Sequence, residues 1–132
     1  MTSASATLGA DRGRATTVVL WVLQILAAAM FLFAGSMKLI SQEETVRAFG
    51  VIGLGQWFRY FTAALEVSGA IMLLIPRLAG AGALLLMVVM TGAIATHLFI
   101  IGGSPAGAVL MLAINAYIAW NRRREVAALL GA

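Results

Sequence analysis

The chain has 132 residues, 62% of them hydrophobic and only 11% charged, with a mean hydropathy of +1.00. Soluble domains carry roughly 25% charged residues, so this composition excludes an ordinary soluble domain and points to a membrane protein. The absence of cysteine excludes disulfide staples, thiol–disulfide exchange and thiolate metal sites. The net charge of +4 does not point to nucleic acid, because the cations gather at the ends of apolar runs, where they set topology.

Residues 1–16, rich in Ser, Thr, Ala and Gly and containing Asp11, Arg12 and Arg14, read as a disordered tail. A first apolar span follows at about 18–38 and ends on Lys38. Arg12 and Arg14 could open a signal peptide, but the run continues through Phe31, Leu32 and Phe33, too long for its apolar core. In the next stretch, Ser41 and Glu44 have the spacing of a capping box, and Gly50 is a natural stop. They predict a short helix over about 42–49, lying at the membrane interface on Val46 and Phe49.

The second span, about 57–75, would measure about 28 Å as a helix, close to the thickness of the hydrocarbon core. Trp57 and Tyr60 stand at one end as interfacial aromatics, and Glu66 falls near the middle. A carboxylate at that depth costs several kcal/mol, about 3 on insertion scales, unless it faces protein or water or is protonated. Pro76-Arg77 makes a turn, and the third span, about 78–100, opens on the small-residue string AGAGA, which permits close helix packing. Gly102-Gly103-Ser104-Pro105 turns again into a short fourth span at about 105–120, stopped by Arg122, Arg123 and Arg124. Residues 122–132 form a second short tail. The predicted fold class is therefore all-α, a transmembrane antiparallel four-helix bundle in one domain over 17–121.

An even number of spans puts both termini on one side. That side collects Arg12, Arg14, Arg77 and Arg122 to Arg124, six of the nine cations. The positive-inside rule places it in the cytoplasm, with the short interfacial helix in the first, outer loop. A weak internal repeat aligns AGSMKL with AIATHL and AALEVSGA with LAINAYIA, setting Lys38 against His97 and Glu66 against Asn115.

Ionisable and amide side chains within the spans are few: Gln24, Lys38, Arg59, Glu66, His97 and Asn115. Arg59, Thr62 and Glu66 share one helical face by their spacing. Lys38 can extend its stem inward, and His97 can reach from the third span. Lys38, Arg59, Glu66 and His97 are thus a candidate polar cluster around an outward-opening cavity with Glu66 at its floor. Each has a plainer role: salt-bridge glue for Glu66 and Lys38, an interface anchor for Arg59, a satisfied hydrogen-bonder for His97. Gln24 and Asn115 are expected to bond between helices. One histidine and no cysteine make a dedicated metal site improbable, and neither a phosphate loop nor a Ser–His–Asp set is present.

AGSMKL at 34–39, AFGV at 48–51, LEVSGAIMLLIPR at 65–77 and ATHL at 95–98 occur in an order and spacing that resemble the DoxX and DoxX-like family of small four-helix membrane proteins. Lys38 and Glu66 match the family's most recognisable polar positions, and His97 a frequent one. The resemblance implies a bacterial inner-membrane protein with the long loop outside. It also implies membrane redox work, since some relatives are subunits of a thiosulfate:quinone oxidoreductase and others associate with soluble redox enzymes. Relatives that handle thiols rely on cysteines, which closes that route here. Two functional classes follow: an auxiliary subunit docking an oxidoreductase and offering quinone a pocket near Glu66 and His97, or a small proton-coupled transporter working as a homo-oligomer. A purely structural or assembly role is the third.

Overall fold

The computed structural model describes residues 13–131. All regular structure among the described residues is helical: α1 (Arg14–Leu39), α2 (Glu43–Ile52), α3 (Gln56–Leu73), α4 (Pro76–Thr96) continued by a π-helical turn (His97–Ile101), α5 (Ala106–Asn121) and α6 (Arg123–Leu129). Two stretches, Arg14–Leu39 and Pro76–Ile101, are long and apolar enough to cross a membrane, and Ala106–Asn121 is apolar but shorter. The α3 helix has 18 residues and carries Arg59 and Glu66.

The first helix starts at Arg14, so the last three residues of the expected 1–16 tail are helical, and residues 1–12 lie outside the described part. Nothing between Gly13 and the apolar run breaks a helix, and the Thr17 amide bonds back to the Gly13 carbonyl at 3.1 Å. Lys38 closes α1 in its last turn, where a cation complements the helix dipole.

The start and stop of α2 differ from expectation. Gln42 is the cap, its side-chain oxygen accepting from the Thr45 amide at 3.2 Å. Ser41 instead takes a left-handed φ of 60°, with its hydroxyl 3.4 Å from that of Tyr60. Gly50 stays inside the helix. The stop is Gly53 (φ 83°), whose amide reaches back to the Phe49 carbonyl, because it alone of the two glycines occupies the left-handed position that ends a helix. The extra turn carries Ile52 into the wall of the cavity described below.

Pro76 begins α4 at the first helical position, where its missing N–H costs nothing. The third span, α4, therefore opens two residues earlier than the expected 78, and α3 ends at Leu73 instead of 75. Gln24 of α1 lies against Leu73 of α3 and Lys38 of α1 against Glu66 of α3, so these two helices run in opposite directions. Packing of α3 on α4 depends on bare backbone. A Cβ on Gly69 would sit 2.6 Å from Leu86 Cγ, and one on Gly82 would sit 2.7 Å from Met72 Cβ. The α4 helix also packs on α5, and α1 touches α5 more lightly. Leu20, Ala27, Phe31, Ala70, Leu73, Leu86, Met90 and Ile118 are among the core residues at these seams. Val22, Ile25, Met30, Phe33, Val88 and Leu110 point outward and are exposed, the pattern of a helix face made for lipid.

Candidate functional site

A cavity of about 670 Å³ lies between α1, α3 and α4, beneath α2. Phe33 and Met37 line it from α1, Phe58, Phe61, Leu65 from α3, and Val88 to Met90 with Ala93 from α4. Thr45, Ala48, Phe49 and Ile52 of α2 roof it. Against these apolar walls stand Lys38, Thr62, Glu66, Thr96 and His97.

The charged centre is an ion pair. Lys38 Nζ lies 2.8 Å from Glu66 Oε1, with the two side chains 16% and 4% exposed. Lys38 can reach because helical side chains lean toward the N-terminus, which aims its stem back along α1 toward the middle of α3. At that distance the ammonium and the carboxylate make a charge-assisted contact, and a carboxylate oxygen has a further lone pair with which to accept a second donor.

His97 is the first residue of the π-helical turn, and its Nδ1 is 2.9 Å from the Gly102 carbonyl. A carbonyl only accepts, so Nδ1 carries the proton and Nε2 of the neutral ring is an acceptor. Gly102 (φ 72°) and Gly103 (φ 77°) complete the turn, and such π turns recur where a helix must present a side chain at a functional site.

Arg59, the fourth expected member, is not among the residues lining the cavity. It is 3% exposed, which does not suit an interface anchor, and its guanidinium donates to the Lys38 main-chain carbonyl and to Gln56 Oε1 at 2.8 Å. Gln56 in turn donates to the Val46 carbonyl of α2 at 3.2 Å. Arg59 thus ties together the end of α1, the start of α3 and the roof, and it stacks 4.3 Å over the Tyr60 ring.

The repeat alignment does not reproduce the ion pair. His97 bonds to its own turn, and Asn115 donates to Met111 within α5 at 2.8 Å instead of bonding between helices. Gln24 does bond between helices, donating to the Leu73 carbonyl at 2.8 Å. Its oxygen accepts from Arg122 Nε, also at 2.8 Å, and Arg122 NH1 is 2.9 Å from Glu125. Sequence reasoning missed this network by reading Arg122 as a topological cation. The available signal was Gln24 itself, since a buried amide needs a donor as well as an acceptor.

The cavity opens sideways. Phe61 and Val88 line it while 49% and 71% exposed, and nothing lies within 4 Å of a Cβ built on Gly92, which also lines it. Phe33 of α1 also lines it while 63% exposed, and with these three residues it marks the mouth. Among the described residues no three His, Cys, Asp or Glu side chains converge to hold a metal ion. The arrangement can hold a lipophilic molecule against its apolar walls and offer it an ammonium donor, a carboxylate and an imidazole acceptor.

The model of the DoxX-like family matches residues 22–122, a stretch that includes every residue lining the cavity and Arg122. No curated protein and no solved structure matches the chain.

Proposed function

The chain belongs to the DoxX-like family, which points to a membrane protein, and from that premise we propose that it is an auxiliary subunit of a quinone-linked redox system. In this reading α1, α3, α4 and α5 form an antiparallel transmembrane four-helix bundle in the bacterial inner membrane, with both termini in the cytoplasm. The α2 helix lies at the outer interface, and Glu66 sits within the membrane. A soluble or membrane oxidoreductase docks on the bundle and supplies electrons.

The observation that carries the reading is the cavity: apolar walls, a side opening in the outward-facing apolar surface, and Lys38, Glu66 and His97 at its polar edge. A bound quinone would supply two-electron, two-proton chemistry. The chain's own residues do the rest. The Lys38 ammonium would hold a ring carbonyl oxygen by donating to it. Glu66 and His97 Nε2 would be the acceptors facing the bound group, placed to hold a proton exchanged there.

Purification in mild detergent followed by a mass-spectrometric inventory of lipids and proteins tests this. A near-stoichiometric isoprenoid quinone is expected, and it should be lost from the paired variant Lys38→Met/Glu66→Leu, which removes the polar edge without leaving a lone buried charge. Phospholipid alone would overturn the proposal. So would pH-dependent ion flux in liposomes containing this protein alone, which belongs to the small proton-coupled transporter.

A further inference from the structure

A second groove, about 300 Å³, lies near the far ends of the helices, between α4, α5 and α6. Leu84, Met87, Ala116 and Val126 make its wall, and Arg123 stands at its rim beside Trp120. Although exposed, Arg123 is held in place: its guanidinium stacks 4.2 Å over the Trp120 ring, and NH1 donates to the Trp120 carbonyl at 2.7 Å. That contact uses one of five N–H groups.

The charge around the rim is mostly positive. Arg77, Arg122, Arg123 and Arg124 gather at this end of the bundle. Glu125 is the acid found there among the described residues, and it is paired with Arg122. A wall made for an acyl chain therefore runs up to a fixed guanidinium in a cationic field. Basic pockets between helices on the cytoplasmic side of a membrane suit anionic lipid headgroups. A second copy of the chain, inserted the same way, would bring the same cationic end against itself.

We propose that this groove binds one anionic phospholipid, its acyl chain against Leu84, Met87 and Ala116 and its phosphate on Arg123. The site rests on the membrane placement proposed above, and it is independent of the cavity and of any quinone.

The test is a titration of delipidated protein in detergent with phosphatidylglycerol and with phosphatidylcholine of matched acyl chains, read by native mass spectrometry. One phosphatidylglycerol per chain is expected, bound roughly fivefold tighter than phosphatidylcholine, the factor one arginine contributes at an anionic surface. Arg123→Gln should remove that preference. Leu84→Trp, at a half-exposed position that tolerates bulk, should weaken both lipids. Arg47→Gln, at the opposite end, should change neither, and inorganic phosphate should not displace the lipid. Equal binding of the two lipids by the unaltered chain would overturn the proposal. So would an Arg123→Gln variant that keeps its preference, displacement by phosphate, or a dimer cross-linked across the groove. Quinone content measured in the same samples reports on the cavity separately, so one proposal can fail without the other.

Discussion

Arg59 donates to the main-chain carbonyl of Lys38, the residue whose ammonium pairs with Glu66. The buried guanidinium thereby fixes the point from which the Lys38 stem starts, and through Gln56 it also holds the α2 roof. Arg59→Lys is expected to be a poor replacement. One ammonium cannot reproduce the planar fork that spans the Lys38 carbonyl and the Gln56 amide. The half-buried Gln56 oxygen would lose this donor and the Lys38 carbonyl would keep the Ser41 amide, at about 1 kcal/mol. Thermal unfolding in detergent should report that loss, and hydrogen exchange should show α2 loosening more than α5. Uniform loosening would argue against the roof-holding role.

The Lys38–Glu66 pair makes a different prediction, because its two halves are costly apart. Glu66→Gln strands a mostly buried ammonium and should cost about 3–5 kcal/mol. Lys38→Met/Glu66→Leu strands nothing and should recover most of that loss. The check is a double-mutant cycle in detergent. A Glu66→Gln variant as stable as the unaltered chain would show that the pair contributes no structure, leaving ligand binding as its role.

Much of this pair was legible in the chain, and the reason is physical. A lysine and a glutamate inside apolar runs have few ways to satisfy their charge, so each nominates the other. The same logic failed for Arg59. Its seven-residue spacing from Glu66 does put both side chains on the buried face of α3. Spacing does not show that the Lys38 carbonyl, left at the end of α1 with a 3.3 Å bond from the Ser41 amide, would also claim the guanidinium. The α2 cap was misplaced for a related reason: Ser41 turns left-handed to leave α1, so the capping role falls to Gln42. The π turn at His97 left no mark in the hydropathy pattern, because a one-residue widening preserves the apolar run. The side opening at Gly92 was invisible too, since it depends on what α3 fails to cover.

Gln24 and Arg122 form the second polar tie, far along the chain from each other and both buried. Gln24→Leu would leave the Leu73 carbonyl and Arg122 Nε without this partner. A loss of about 1–3 kcal/mol is expected. Because Arg122 also anchors Glu125 at the start of α6, limited proteolysis should cut near residue 123 faster in this variant. An unchanged cleavage rate would mean that α6 is held by other contacts, such as Val126 against Gly80.

Two glycines on α4 should behave in opposite ways. At Gly82 a Cβ would lie 2.7 Å from Met72 Cβ and 3.0 Å from the Gly69 carbonyl oxygen. Backbone cannot swing aside as a side chain can, so Gly82→Leu must push α3 from α4. A cost of about 3 kcal/mol or more is expected. At Gly92 nothing lies within 4 Å of a Cβ, so Gly92→Leu should not lower stability and, by removing a helix-interior glycine, should raise it by about 0.5–1 kcal/mol. It should also narrow the mouth between Phe61 and Val88, and exchange of a quinone from liposomes should slow while that of a water-soluble quinone analogue does not. Equal exchange rates for the lipid-borne quinone in both proteins would show that the ligand passes beneath α2 and not through the side of the bundle.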